Sequence, residues 1–166
     1  MLRKNFLLFS CVIVLAAFTI SVPNTKLSNE PRRVEILFLG HTSKHHNSEV
    51  LADIFTKEYF KDGINITYTT DPNDLNEKTL AHYDGLILYA NYDSITPSQE
   101  KALLGFVRGG KGFIPIHSAS YCFRNSPEVV EMIGGQFKTH GWDSFPSVIL
   151  KPDNPVLKGV NNFTTK

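Results

Sequence analysis

The sequence predicts an α/β domain of three layers, in which helices cover both faces of a doubly wound, mostly parallel sheet. Apolar runs of strand length alternate along the chain with segments whose apolar residues recur at the helical period. Most of the strand-like runs are apolar at nearly every position, as strands buried on both faces are. Hydrophobic residues make up 42% of the 166 residues and charged residues 20%, fractions that suit one globular domain with a leader.

The first 22 residues have the pattern of a secretory signal peptide. Arg3 and Lys4 precede an apolar run that continues to Val22, and Thr19 and Ser21 are small residues at the −3 and −1 positions of a cleavage site. We therefore expect an exported protein, either periplasmic or extracellular.

Two alternatives to cleavage remain open. An apolar run of about 17–20 residues can span a bilayer, so the segment can stay uncut as an N-terminal anchor, which is the only membrane contact we expect. A lipidation box at 8–11 is the second alternative, although the apolar run continues past Cys11. Residues 23–33 are predicted to be a linker, and residues 34–166 the folded domain.

The first half of the domain is predicted to be a strand, a helix and a second strand. Residues 34–39 form an apolar strand that ends at Gly40. Ser48 is placed to cap a helix that ends before Gly63, where glycine can adopt the left-handed conformation. Residues 64–68 follow as the second strand. The apolar positions of the helix share one face, which we expect to be buried, and they are Val50, Leu51, Ile54, Phe55 and Tyr59.

The second half continues the same alternation. A short helix is predicted around 75–80, and residues 85–90 form the central strand. Thr96, Pro97 and Gln99 have the spacing of a helix start with a capping box. The remaining predicted elements are a strand at 112–117 that contains Pro115, a helix that starts at Ser126-Pro127 and ends at Gly134-Gly135, and a strand at 148–150.

Charge and cysteine content exclude several classes of protein. The formal net charge is +1 and the pI about 7.8, and the basic residues are scattered among acidic ones, so no nucleic-acid partner is expected. Cys11 lies in the leader, so the mature chain has only Cys122 and no internal disulfide. The glycine-rich residues 109–112 follow a helix and enter a strand, the reverse of the order in a phosphate-binding loop.

Histidines follow the predicted strand ends, where doubly wound sheets bind their ligands. His41, His45 and His46 lie in the loop after the first strand, and His117 ends the fourth strand. We predict His117 and His46 as catalytic acid–base groups, and His41, His46 and His117 as ligands of a divalent metal such as zinc. Ordinary solvated loop histidines are the alternative interpretation, and it is the one we prefer for His45 and His82.

Polar and aromatic residues near the same strand ends suit a carbohydrate ligand. Asn91 and Tyr92 follow the central strand, and His140 and Trp142 share a glycine-containing loop, so we predict these four as substrate-binding residues. Ordinary turn chemistry is the alternative at Asn91 and Tyr92. Ser118 follows His117 and is expected to be a helix N-cap rather than a nucleophile, whereas the lone Cys122 is expected to be a small buried group.

The chain resembles the ThuA-like (trehalose utilisation) family, within the glutamine amidotransferase-like, flavodoxin-like class of folds. The likeness runs from about Val34 to the end of the chain. It rests on an ordered series of passages rather than on one motif: 37–48, Asp71-Pro72, Tyr83-Asp84, 88–91, Phe106-Val107-Arg108-Gly109-Gly110-Lys111-Gly112-Phe113, Ile116-His117-Ser118-Ala119, Ile133-Gly134-Gly135-Gln136-Phe137 and His140.

The resemblance implies a three-layer fold and a role in carbohydrate utilisation. It also implies that His117 occupies the position of the nucleophilic cysteine of glutamine amidotransferases, so glutaminase activity is not expected. Relatives of the family continue into a further strand and an Asp-Glu stretch, so we expect the 34–166 domain to be shortened at its C-terminus. Two functions remain open: an enzyme that acts on a sugar or sugar-derived substrate, and a non-catalytic carbohydrate-binding or accessory domain.

Overall fold

A computed structural model of the chain describes residues 31–41, 43, 45–141 and 143–165. The predicted leader and Trp142 lie outside these residues, as does most of the predicted linker. No helix in this part of the chain is long and apolar enough to cross a membrane. In chain order the strands and α-helices are β1 (Val34–Gly40), α1 (Ser48–Tyr59), β2 (Ile64–Thr69), α2 (Glu77–Leu80), β3 (Gly85–Tyr89), α3 (Pro97–Arg108), β4 (Gly112–Pro115), α4 (Pro127–Ile133), β5 (Pro146–Ser147) and β6 (Phe163–Thr164).

The main sheet contains four parallel strands in the order β2-β1-β3-β4. The register pairs Phe38 of β1 with Tyr68 of β2 on one side and with Ile87 of β3 on the other. Because parallel neighbours need a crossover connection, each pair of consecutive strands is separated by at least one helix. The predicted α/β fold with a parallel sheet is therefore confirmed.

Side chains of the central strands divide the core between the two faces of the sheet. Leu37, Leu39 and Leu88 belong to a large apolar cluster that includes residues of α3 and α4. Phe38 and Ile87 belong to a second cluster, with which Leu51 and Phe55 of α1 pack. Successive residues of a strand point to opposite faces, so this division follows from the apolar character of nearly every strand position. The three layers predicted from that pattern are present.

Local capping signals define the start of α3 and the ends at Gly63 and Gly134 as predicted. Thr96 and Gln99 form a complete capping box at the start of α3, because each side chain bonds to the backbone N–H of the other residue. Gly63 and Gly134 adopt left-handed conformations, with φ of 82° and 92°, after the first helical segment and after α4. These signals act over three or four residues and do not depend on tertiary contacts.

The predicted cap and buried face of α1 are wrong in part. Asn47 caps the helix through Val50 N, whereas Ser48 is its first residue and is buried. Val50, Ile54 and Tyr59 are 51%, 49% and 42% exposed. Only the stripe around Ala52 faces the sheet, since Leu51, Ala52 and Phe55 are the α1 residues in the cluster. Among the described residues α1 is the helix that packs in this cluster, and the apolar residues at its flanks are partly exposed.

The fifth strand lies elsewhere than predicted. Residues 148–150 are not a strand, and Leu150 is 88% exposed. The structure instead has β5, which pairs antiparallel with β6 in a separate two-stranded sheet. Antiparallel pairing needs no crossover helix, so two short segments close in sequence can pair without joining the main sheet.

Candidate functional site

The candidate site lies at the edge of the sheet where β1, β3 and β4 end. Gly40, the last residue of β1, pairs with Tyr89, the last residue of β3. On the other side of β3, Ile116 N donates a hydrogen bond to Leu88 O and carries the alignment one residue beyond β4. The residues after these three strands therefore occupy one edge, which is where open α/β sheets bind ligands.

His117 occupies a strained turn directly after β4. The strand ends at Pro115, two residues earlier than predicted, and His117 begins a short 3₁₀-helix, His117–Tyr121. Its φ is +47°, in the left-handed region that side chains other than glycine rarely occupy. This conformation costs an L-residue about 1–2 kcal/mol. Strain of this kind persists where the surroundings enforce it and is concentrated at functional sites.

The structure brings His46 and His117 together. Their ring centroids lie 4.8 Å apart with an interplanar angle of 66°, an edge-to-face contact. Tyr89 lies against both rings, with its centroid 6.0 Å from that of His46 and 6.1 Å from that of His117. Sequence analysis missed Tyr89, although the last residue of a central strand is the position that reaches this edge.

Burial lowers the pKa of His46 below its ordinary value, and the charges that His117, His45 and His41 can carry lower it further. A histidine shifted in this direction is neutral near pH 7. A neutral imidazole can accept a proton, so His46 can act as a base.

Ser48 fixes the start of the loop that carries these histidines. Its buried hydroxyl accepts a hydrogen bond from His41 N at 2.9 Å and donates to His41 O at 3.1 Å. Tyr68 Oη lies 3.0 Å from the same oxygen and can donate to it. His41 is thereby held with its ring in an edge contact with Tyr92, at 5.2 Å between centroids. The serine predicted as a helix cap is instead the anchor of His41.

The predicted substrate-binding residues after β3 have different environments. Tyr92 Oη lies 2.5 Å from Thr70 O and 3.1 Å from Gly40 O, and the two carbonyl oxygens share its one O–H donor. The hydroxyl thereby joins the loop to the ends of β1 and β2. Burial raises the pKa of this hydroxyl to about 12. Asn91, by contrast, has a buried Oδ1 with no hydrogen-bond partner in the described part of the protein.

The other histidines of the domain lie outside the contact between His46 and His117. His140 is exposed, its Nδ1 lies 2.7 Å from Gly141 O, and its ring contacts Phe137 at 5.6 Å. The backbone of Phe137 is bonded to Ser120 O, so this segment lies beside the 3₁₀-helix that His117 begins. His45 is exposed, and so is His82, which precedes β3.

Ser118 and Cys122 flank the turn on its buried side. Ser118 is 9% exposed, and its hydroxyl has no hydrogen-bond partner among the described residues, so the predicted N-cap role is wrong. The 3₁₀-helix begins without a side-chain cap because the backbone turns directly out of β4. Cys122 is fully buried, as predicted, and burial raises the pKa of its thiol to about 12.

The described residues do not fit a zinc site. Zinc sites use three or four protein ligands. No group of three His, Cys, Asp or Glu side chains converges as metal ligands within the described ranges. His46 and His117 are in ring contact at this edge. His41 does not join them as a third ligand in the described residues.

Two surface depressions lie away from the histidines. The larger, of about 550 Å³, lies between α2 and the start of α3, and the smaller, of about 270 Å³, lies between α3 and α4. Asn76 and Gln99 in the larger one are bonded to neighbouring protein groups. The strained turn and the paired imidazoles favour the edge at His117 over these two depressions.

Comparison with known proteins supports the same family as the sequence passages. The family model described as "ThuA: Trehalose utilisation" matches residues 35–166. A crystal structure at 2.30 Å of a ThuA-like protein from Bacteroides uniformis ATCC 8492 is similar in fold, with a TM-score of 0.65 and 23% sequence identity. The alignment covers 81% of this chain and 58% of that one, so this chain spans little more than half of its length. No curated protein matches the chain. The family match over most of the sequence shows that the chain belongs to the ThuA (trehalose utilisation) family.

Proposed function

We propose that this chain is an exported enzyme that acts on a sugar or sugar-derived substrate, with His46 and His117 as its acid–base pair. The observation that carries the proposal is the contact between the two imidazoles, 4.8 Å between centroids, at the carboxyl edge of a parallel sheet. The family's association with trehalose utilisation supports the substrate class.

The two histidines have different roles in this proposal. The lowered pKa keeps His46 neutral, so it accepts a proton from the substrate. His117 contacts His46 and stands on the strained turn, which fixes the direction of its side chain. We assign to His117 the role of the acid, which donates a proton back to the reacting molecule. The position holds no cysteine, so the proposal includes no glutaminase step.

A turnover assay tests the catalytic role. The protein is incubated with trehalose, glucose and their oxidised derivatives, and consumption is followed by NMR. We expect His46→Ala and His117→Ala each to lower the rate by about 10²-fold or more, as loss of a general acid or base does. His82→Ala is the matched control, because His82 is an exposed histidine outside the contact between His46 and His117. Wild-type turnover in both His46→Ala and His117→Ala would refute the assignment.

A non-catalytic carbohydrate-binding domain is the second candidate. Buried polar atoms without partners at the same edge favour it, since they can bind hydroxyl groups whether or not a reaction follows. Saturable sugar binding without turnover of any compound in the panel, unchanged in His117→Ala, would establish this candidate in place of the enzyme.

Metal content and export have their own tests. The predicted zinc at His41, His46 and His117 is checked by elemental analysis of the wild-type and His117→Ala proteins, where near-stoichiometric metal that is lost in the variant would support it.

Export is checked by the intact mass of protein recovered outside the cytoplasm. A chain that begins at Val22 would support cleavage of the leader, and a full-length chain in the membrane fraction would support the anchor.

A further inference from the structure

We propose that β2 forms a two-fold antiparallel pair with the β2 strand of a second copy of this chain, so that two main sheets join into one. The lateral strands of the main sheet are β2 and β4, and among the described residues each is paired on one side only. A lateral strand presents backbone N–H and C=O groups that can bind another strand. This inference goes beyond the proposed function and does not depend on it.

The outer side of β2 presents the backbone groups of Ile64, Ile66 and Tyr68. Val34 N donates to Gly63 O, and the parallel register pairs Val34 with Ile64. Bonding residues alternate along a ladder, so Gly63 and every second residue after it bond to β1. The residues between them direct their N–H and C=O groups away from β1, which leaves these groups available to a partner strand.

The strand β2 lacks the features with which proteins protect a lateral strand. Such strands are usually short, or they carry Pro or charged residues. β2 has six residues, and none of them is charged or Pro. β4 has four residues and includes Pro115, which faces outward because the next residue, Ile116, bonds inward to Leu88 O. Pro115 has no N–H to offer a partner, so the sheet is open to pairing at β2 rather than at β4.

The outward residues make β2 complementary to itself. An antiparallel pair centred on Ile66 places this residue opposite its own mate, and Ile64 opposite Tyr68 of the second copy. Each such pair exchanges both of its backbone hydrogen bonds. Ile64 O also receives a long bond of 3.4 Å from Arg33 Nη2, which a backbone bond can replace. The three side chains lie on the face that packs against α1, where isoleucine–isoleucine and isoleucine–tyrosine pairs across the strands are stabilising.

Charges beyond the ends of β2 favour the same partner. The residues around its start carry a net positive charge and those around its end a net negative one: Arg33, Lys61 and Asp62 against Asp71 and Asp74. Lys61 and Asp71 are exposed, and both lie five positions from Ile66. Antiparallel pairing therefore brings Lys61 of each copy towards Asp71 of the other, whereas a parallel pair would place like charges side by side.

Disulfide cross-linking of the full chain tests the register. In the proposed pair the two Ile66 Cα atoms lie about 5.5 Å apart, a distance that a disulfide spans. We expect Ile66→Cys, in a Cys11→Ser background, to form a covalent dimer on mild oxidation, while Cys122 stays buried. Ile64→Cys is the matched control, because its own mate lies about 13 Å farther along the strand. No cross-linking of Ile66→Cys, or equal cross-linking at both positions, would overturn the inference.

Sedimentation equilibrium tests the association itself. At about 100 µM the chain should have twice its mass of 18.7 kDa. Ile66→Pro removes the central N–H of both copies and should raise the dissociation constant at least about tenfold, whereas Ile66→Val keeps the N–H and is the matched control. This N–H makes no bond to β1, so Ile66→Pro should retain the circular dichroism of the wild type.

A monomeric wild type would overturn the inference. So would a dimer that a folded Ile66→Pro variant leaves unchanged, as association through the apolar leader would be. If Ile66→Pro does not fold, the cross-linking result decides between pairing at β2 and association elsewhere.

Discussion

Replacing His117 by glycine and by alanine separates the strain of its backbone from the loss of its side chain. Both variants remove the imidazole, so their difference in stability reports the conformation at φ +47°. The left-handed region costs an L-residue about 1–2 kcal/mol. Glycine avoids that cost but loses about 0.5–1 kcal/mol through the greater freedom of the unfolded chain. We therefore expect His117→Gly to be more stable than His117→Ala by about 0.5–1 kcal/mol.

Gly105 provides the matched control. It is an exposed residue inside α3, and a Cβ built there meets no atom within 4 Å. Gly105→Ala should raise the free energy of unfolding by about 0.5–1 kcal/mol, because alanine is favoured in a helix interior. The assay is urea unfolding at 25 °C followed by circular dichroism. An alanine variant at position 117 that is more stable than the glycine variant by about 0.5–1 kcal/mol would show that the turn is not strained.

Three further predictions follow from the site. Ser48→Ala should lower the free energy of unfolding by about 2–4 kcal/mol, since it leaves His41 N, His41 O and Tyr68 Oη unsatisfied; the exposed Ser94→Ala is the control in the same urea experiment. Cys122 should resist iodoacetamide at pH 8 until the protein unfolds, because the pKa of its thiol is about 12; rapid alkylation of native protein would contradict its burial. His46 should titrate by NMR below the ordinary histidine pKa of 6.5. The unfolded chain then binds the proton more readily, so the contribution of His46 to stability should fall as pH drops from 6.5 through its folded pKa; a midpoint above 6.5 would contradict this direction.

Sequence reasoning succeeded where a signal is local or where a general rule of sheet topology applies. The capping box at Thr96 and Gln99 predicted the start of α3 because its hydrogen bonds join residues three apart. The rule that parallel strands end at one edge predicted that residues after β1 and β4 could meet, and the structure brings His46 and His117 into contact. That they are catalytic stays a prediction.

Sequence reasoning failed where tertiary neighbours decide the outcome. Val50 and Ile54 lie at helical spacing and were predicted to be buried. In the structure α1 packs on the sheet through a narrower set of residues, and both side chains are exposed. The run at 148–150 was apolar enough for a strand, yet it lies outside every sheet. No sequence signal marks a left-handed histidine or an unpaired Ser118 hydroxyl, because both depend on the completed turn.

The turn after β4 is held by hydrogen bonds to main-chain atoms, so the side chain at position 117 can be exchanged. Ile116 N bonds to Leu88 O, Ala119 N bonds to Ile116 O, and Ser120 Oγ bonds to His117 O. None of these bonds involves the imidazole. A substitution at position 117 therefore exchanges the side chain while the scaffold that presents it keeps its shape. Such a position allows a lineage, or a protein engineer, to change the side chain at this edge without redesigning the fold.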